Sequence, residues 1–127
     1  MKFLLDTHLL LWAAVGTLPE KAAQYINDVT NRLFFSPASI WEVVIKSELG
    51  RKDFVIDPMS LYNGLLEAGY EELTITGQHT LLVSILPPLH KDPFDRILLA
   101  QSAYEGIPLL TADDVLTRYP GHIIYVR

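Results

Sequence analysis

Short apolar runs alternate with longer helix-patterned stretches along the whole chain, and this alternation restricts the fold more than any other feature of the sequence. Phe3-Leu4-Leu5, Leu33-Phe34-Phe35, Leu73-Thr74-Ile75, Pro108-Leu109-Leu110-Thr111 and Ile123 to Val126 each have the length and apolar density of a buried strand. Helical patterns lie between them: from Asp6 through Ala13, Glu20 to about Thr30, Ala38 to Leu49, from Pro58 onward, Gln78 to about Leu86, from the Asp92-Pro93 segment to about Tyr104, and a short one from Asp113 or Asp114 to about Arg118. Gly16 to Pro19, Gly50, Gly106 and Pro120-Gly121 punctuate the series. Strand and helix in alternation imply an α/β fold, a mostly parallel sheet with helices on both faces. In such folds functional residues gather just beyond the carboxyl ends of the strands.

A chain of 127 residues fits one compact domain, residues 1–127. Half the residues are hydrophobic, so a core can form without covalent staples. The absence of cysteine excludes disulfides, zinc-thiolate sites and a thiol nucleophile. The apolar run Leu9 to Val15 is far short of the roughly 20 residues that span a bilayer. Asp6 and His8 interrupt the leader-like start Lys2 to Leu5. The expectation is a soluble, cytoplasmic protein with no membrane partner. Ten basic against 15 acidic residues give a net charge of −5, which argues against a protein that coats DNA by bulk positive charge.

The acids fall where the sheet rule puts function. Asp6 ends the first strand, and Asp113 lies just past the strand ending at Thr111. Asp95 is in the first turn of the helix leading into that later strand. Glu42 is early in the helix after the second strand. All four can therefore converge on one sheet edge. Crowded carboxylates repel unless protonated or neutralised. Mg²⁺ or Mn²⁺, one or two ions, would neutralise them, activate a water and stabilise charge on a scissile phosphate.

Each acid also has a purely structural role open to it. Asp6 and Asp113 can be helix N-caps, and Asp95 can favour the positive start of its helix. Glu42 can pair with Lys46 one turn on. Asp92 before Pro93 suits an N-cap with Pro at the first helical position, which leaves Asp95 as the ligand. Asp113 is nearer the strand exit than Asp114 and is favoured over it. His8 reads as a helix residue that packs or faces solvent, and His79, His90 and His122 have no partner at metal-ligand spacing.

Four segments carry a resemblance that covers nearly the whole chain: Leu4-Leu5-Asp6-Thr7-His8, Ser36 to Glu42, Asp92 to Gln101, and Leu110-Thr111-Ala112-Asp113. In this order and spacing they resemble PIN-domain nucleases, and most closely the toxin subunits of VapBC toxin–antitoxin systems. The resemblance implies a three-layer α/β/α sandwich and a Mg²⁺- or Mn²⁺-dependent endoribonuclease that leaves 5′-phosphate and 3′-hydroxyl ends. It assigns metal binding and catalysis to Asp6, Glu42, Asp95 and Asp113. Supporting positions are Thr111, which matches a Ser/Thr that helps hold a ligand or water, and Ser39 and Gln101, which match recurrent polar positions. It also implies a VapB-like antitoxin partner and a homodimer.

The charge balance is compatible with an RNA substrate. Setting aside four ligand acids leaves 11 acidic against 10 basic residues, a balance of −1. Lys46, Arg51, Lys52, Lys91 and Arg96 are candidates for contacts to the RNA backbone, and Arg96 can instead orient a nearby acid. Two other functions compete. An aspartyl-phosphate phosphatase would use Asp6 as nucleophile, but the residue two positions on is His8 rather than an acid. A binding module without nuclease activity would receive basic segments in an acidic pocket. An antitoxin would combine such an arginine contact with an apolar groove, for which Trp12, Leu49, Phe54, Val55, Leu61 and Tyr62 are candidates.

Overall fold

A computed structural model describes residues 1–50 and 56–127. Its strands are β1 (Lys2–Leu5), β2 (Arg32–Phe35), β3 (Glu71–Glu72), β4 (Leu109–Thr111) and β5 (Ile123–Tyr125). Its α-helices are α1 (Thr7–Val15), α2 (Glu20–Ile26), α3 (Pro37–Glu48), α4 (Pro58–Glu67), α5 (Gly77–Val83) and α6 (Pro93–Glu105), and a 3-10 helix spans Asp114–Arg118. The strands form one sheet in the order β3-β2-β1-β4-β5, and every pairing is parallel.

Side chains alternate across this sheet and feed two separate cores. Phe3, Leu5, Leu33, Phe35 and Leu110 pack on one face with Leu9 and Leu10 of α1, Ala22 of α2, Val43 of α3, and Leu61 and Leu65 of α4. Leu4, Phe34 and Leu109 pack on the other with Leu98 and Leu99 of α6 and Leu116 of the 3-10 helix. Both faces of the central strands are buried, which is why their sequences are apolar without alternation. Helices on both faces make the three-layer α/β/α arrangement that the sequence predicts.

Several boundaries differ from expectation. The third strand is Glu71–Glu72, not Leu73 to Ile75. It is fixed by its pairing with Phe34 and Phe35, and by a bidentate Arg32–Glu71 ion pair with bonds of 2.7 and 2.8 Å. The Leu73 amide makes a final bond to Phe35, after which the chain leaves the sheet. Helix α2 ends at Ile26, so Val29 lies outside it and is exposed. Ala103 of α6 is exposed as well.

The strand order places a topological switch at the centre of the sheet. From β1 the chain builds outward through β2 to β3, then returns to the other side of β1 with β4 and β5. The crossovers diverge between β1 and β4, so a crevice opens beyond the carboxyl ends of these two strands. Leu5 is in register with Leu110, which sets Asp6 against Thr111 at that crevice.

Candidate metal centre

Asp6 is buried at the tip of β1, with 3% of its surface exposed. One carboxylate oxygen caps α1 by accepting from the Leu9 amide at 2.9 Å. The other accepts from the Thr111 hydroxyl at 2.6 Å and the Ala112 amide at 2.9 Å. Capping and site-building are thus the same set of bonds. Burial pushes the Asp6 carboxyl above its ordinary range, against the opposing pull of Thr111 and the Leu9 and Ala112 amides.

Glu42 projects from α3 beneath the start of α1 and is also buried. The Thr7 hydroxyl donates to it at 2.7 Å and lies 2.9 Å from the Ser39 hydroxyl. Lys46, one helical turn on, pairs with its second oxygen at 2.7 Å. The Lys46 partnership open to Glu42 on sequence grounds is therefore made. Lys46 is turned toward the carboxylate cluster.

Asp95 sits in the first turn of α6, and Asp92 is the N-cap of that helix, accepting from the amides of Phe94 and Asp95. The capping role expected of Asp92 before Pro93 is therefore made. Burial raises the Asp95 carboxyl to about 6, the neighbouring charges of Asp92 and Glu42 add to the rise, and His90 opposes it. His90 Nε2 lies 2.7 Å from Asp95 Oδ2. Asp113 caps the 3-10 helix through the Val115 amide, and its own amide donates to Thr111.

Among the described residues, donor atoms of His90, Asp95 and Asp113 all lie within 4.8 Å of one another. The structure thus gathers Asp95 and Asp113 with an imidazole. Asp6 is joined to Asp113 through the Thr111 hydroxyl, and Glu42 is coupled to Asp95 by charge. Sequence spacing offers His90 no metal-ligand partner, whereas the fold gives it Asp95 and Asp113. Its partners come from the fold and not from helical spacing. His90 lies in the connection between α5 and α6, after Pro87-Pro88, where no spacing rule singles it out.

The donor set fits a hard divalent cation. Magnesium is held by one or two carboxylates together with water and substrate phosphate, and Asp95 and Asp113 offer that pair. A cation would also offset the burial and charge crowding that raise the Asp95 carboxyl.

The remaining candidates have their own places. The Arg96 guanidinium donates to the carbonyls of Val83 and Pro87 at 3.0 Å, and more weakly to those of Leu86 and His90 and to the Tyr119 hydroxyl. It clamps the segment that carries His90, and none of these bonds goes to an acid or faces outward to RNA. Gln101 is fully buried and donates to the Leu73 carbonyl, joining α6 to the end of β3. Lys91 is exposed. Arg51 and Lys52 lie outside the described residues, as do Phe54 and Val55.

A second feature is an apolar cavity of about 720 Å³ on the face built by α1, α2 and α4, lined by Ala13, Ala14, Ile26, Leu61, Gly64 and Leu65 among others. Of the candidate groove residues, Leu61 belongs to it. Trp12 instead borders a different cavity beside Asp113.

The PIN domain family profile matches residues 3–122. The chain belongs to the PIN domain family. A comparison with curated protein sequences finds no match. Among solved structures, VapBC2 from Rickettsia felis, bound to a DNA fragment from its promoter, is similar with a TM-score of 0.75 at 15% identity, covering 100% of both chains. DNA-bound VapBC from Salmonella typhimurium gives 0.74 at 18% identity, covering 100% of this PIN-domain chain and 99% of its own. VapBC-1 from nontypeable Haemophilus influenzae gives 0.65 at 15% identity, with 98% of each chain covered. These likenesses establish the fold from end to end. No helix among the described residues is long and apolar enough to cross a membrane.

Proposed function

We propose that this PIN-domain protein is a divalent-metal-dependent endoribonuclease and the toxin of a toxin–antitoxin pair. The observation that carries the proposal is the convergence of His90, Asp95 and Asp113 within 4.8 Å. It lies at the switch point of a parallel sheet, beside the buried carboxylates of Asp6 and Glu42. Asp6, Glu42, Asp95 and Asp113 are the residues assigned to metal binding and catalysis.

A bound Mg²⁺ or Mn²⁺ ion would supply Lewis acidity toward a scissile phosphate and lower the pKa of water there. The chain's own residues set the geometry. Thr111 and the Leu9 and Ala112 amides fix both oxygens of Asp6. Thr7 and Lys46 fix Glu42. His90 orients Asp95, and the Arg96 clamp fixes the segment that carries His90. Fixed ligands of this kind reduce reorganisation when charge develops on the phosphate. The products are 5′-phosphate and 3′-hydroxyl ends.

The toxin role is supported by the order of the four sequence segments and by likeness to VapBC chains over their whole length. A VapB-like antitoxin would seat an amphipathic helix in the apolar cavity between α1, α2 and α4, where the lining is apolar and concave. An arginine from it would reach the acidic cluster. The active species is a homodimer in the cytoplasm, and sedimentation at micromolar concentration as a monomer would remove that part.

The test is incubation of the purified protein, free of antitoxin, with total RNA from its host, in Mg²⁺, in Mn²⁺ and in EDTA. New 5′ ends are mapped by sequencing. Discrete metal-dependent ends support the nuclease. Silence with both metals, the host RNA being intact, moves the reading to a binding module without hydrolytic activity.

A further inference from the structure

Beside the acidic cluster is a second cavity, of about 370 Å³, lined by His8, Trp12, Asp113, Asp114, Tyr125 and Arg127 among others. Its volume falls within the roughly 300–1,000 Å³ of small-ligand sites. Four of its lining groups are planar. The His8 and Trp12 rings lie 5.8 Å apart, one helical turn along α1. The Arg127 guanidinium lies 5.5 Å from the centre of the Trp12 ring. Tyr125, at the end of β5, keeps 42% of its surface exposed.

The position of this cavity matters as much as its walls. Asp113 belongs both to its lining and to the group that converges with His90 and Asp95. Tyr125 is in register with Thr111, the residue that holds Asp6. His8 is two residues beyond Asp6. The cavity therefore opens directly off the site of phosphate chemistry.

We propose that this cavity is a base-binding subsite for a nucleotide flanking the scissile phosphate in single-stranded RNA. Single-stranded RNA is recognised by splaying its bases onto aromatic rings and arginine planes, and those are the groups gathered here. A phosphate is the poorer occupant. Asp113 and Asp114 place carboxylates on the wall, and Arg127 is the one permanent cation among the lining residues. A base offers a face to the rings and hydrogen-bonding edges to Arg127 and the carboxylates. Double-stranded RNA, with its bases paired and stacked, cannot fill the cavity. The inference rests on the nuclease reading for the identity of the neighbouring phosphate site, yet it is testable without any cleavage.

The experiment is fluorescence anisotropy in EDTA with labelled single-stranded oligomers of A, C and U, and with the paired A·U duplex as control. Wild type binds at least one single strand more tightly than the duplex. Trp12→Ala weakens that binding about tenfold, in line with removal of a stacking platform, and Trp12→Phe restores most of it. Trp12 also packs against the core, so Tyr125→Ala and Arg127→Ala, which alter exposed residues, guard against a folding defect and each weaken binding severalfold. Equal binding by wild type, Tyr125→Ala and Arg127→Ala overturns the subsite, as does failure of wild type to bind any of the single strands. Loss of nuclease activity in the host-RNA assay with base-dependent binding intact would instead overturn the nuclease and leave the subsite standing. Where cleavage is present, the same variants raise KM and leave kcat within about twofold, since a stacked base that touches none of the reacting atoms contributes equally to ground and transition states.

Discussion

Thr111 donates a 2.6 Å hydrogen bond to Asp6 across 105 positions of sequence, joining the carboxyl ends of β1 and β4 where the strand order reverses. The same hydroxyl receives the Asp113 amide at 3.0 Å. One threonine thus sets two of the carboxylate-bearing residues in a fixed relation.

Replacing that threonine by valine keeps the shape and removes the hydroxyl. Partners that orient metal-binding side chains are worth about 10–100-fold in metal affinity or activity. Thr111→Val is therefore expected to need more Mg²⁺ for half-maximal cleavage, by a factor in that range, with activity recovering at high metal. A Mg²⁺ dependence identical to wild type would mean that Asp6 takes no part in holding the ion.

The raised carboxyls make stability depend on pH in a defined direction. Asp95 stands at about 6 in the fold against 3.8 for the free group, chiefly through burial. Its proton is held more tightly in the folded state, so its stabilising contribution is complete below about 3.8 and is lost as pH rises through about 6. Asp6 is shifted in the same direction. In metal-free buffer, the difference in stability between Asp95→Asn and wild type should grow in favour of the variant across this window. Protons compete with Mg²⁺ for the Asp95 carboxyl below about 6, so added Mg²⁺ should raise the wild-type Tm more at neutral pH than at about pH 5. A metal-induced rise of the same size at both would contradict a carboxylate site.

Arg96 is expected to act as a structural clamp. Its guanidinium holds carbonyls from the α5 end through His90, and a lysine cannot reproduce that fork. Arg96→Lys should cost roughly 2–4 kcal/mol in urea unfolding, the scale of losing several charged hydrogen bonds in a partly buried place. It should also lower cleavage by loosening the segment that carries His90. Unchanged unfolding with reduced RNA affinity would restore the view of Arg96 as a backbone contact.

The apolar cavity can be closed without disturbing the fold. Gly64 lines it, and a Cβ built there meets nothing within 4 Å. Gly64 is helical, so a larger residue also gains up to about 1 kcal/mol of helix propensity. Gly64→Arg should abolish capture of the antitoxin while RNA cleavage continues. Undiminished capture would place the antitoxin elsewhere.

Much of the fold was legible because the parallel sheet is buried on both faces. Phe3 to Leu5 and Leu33 to Phe35 are unbroken apolar runs for that reason, and their ends locate Asp6 and the start of α3. The third strand was misplaced because Glu71 and Glu72 lie at the sheet edge, where pairing with β2 and the Arg32 ion pair decide the register and apolar content does not. The capping role of Asp92 followed from the proline after it. His90 is not legible in the sequence because it meets Asp95 from an irregular connection, which Arg96 holds chiefly through the Val83 and Pro87 carbonyls, and such contacts leave no periodic trace. Trp12 has the character of a groove residue in sequence, yet the packing of α1 turns it to the cavity beside Asp113.

The most direct test of the central claim is Mn²⁺ binding, followed by electron paramagnetic resonance, on wild type and on Asp95→Asn, with RNA cleavage measured in the same samples. Wild type should bind Mn²⁺ and cut RNA, and Asp95→Asn should lose both while keeping its circular dichroism spectrum. Full metal binding and full cleavage by Asp95→Asn would contradict a metal centre built on these carboxylates.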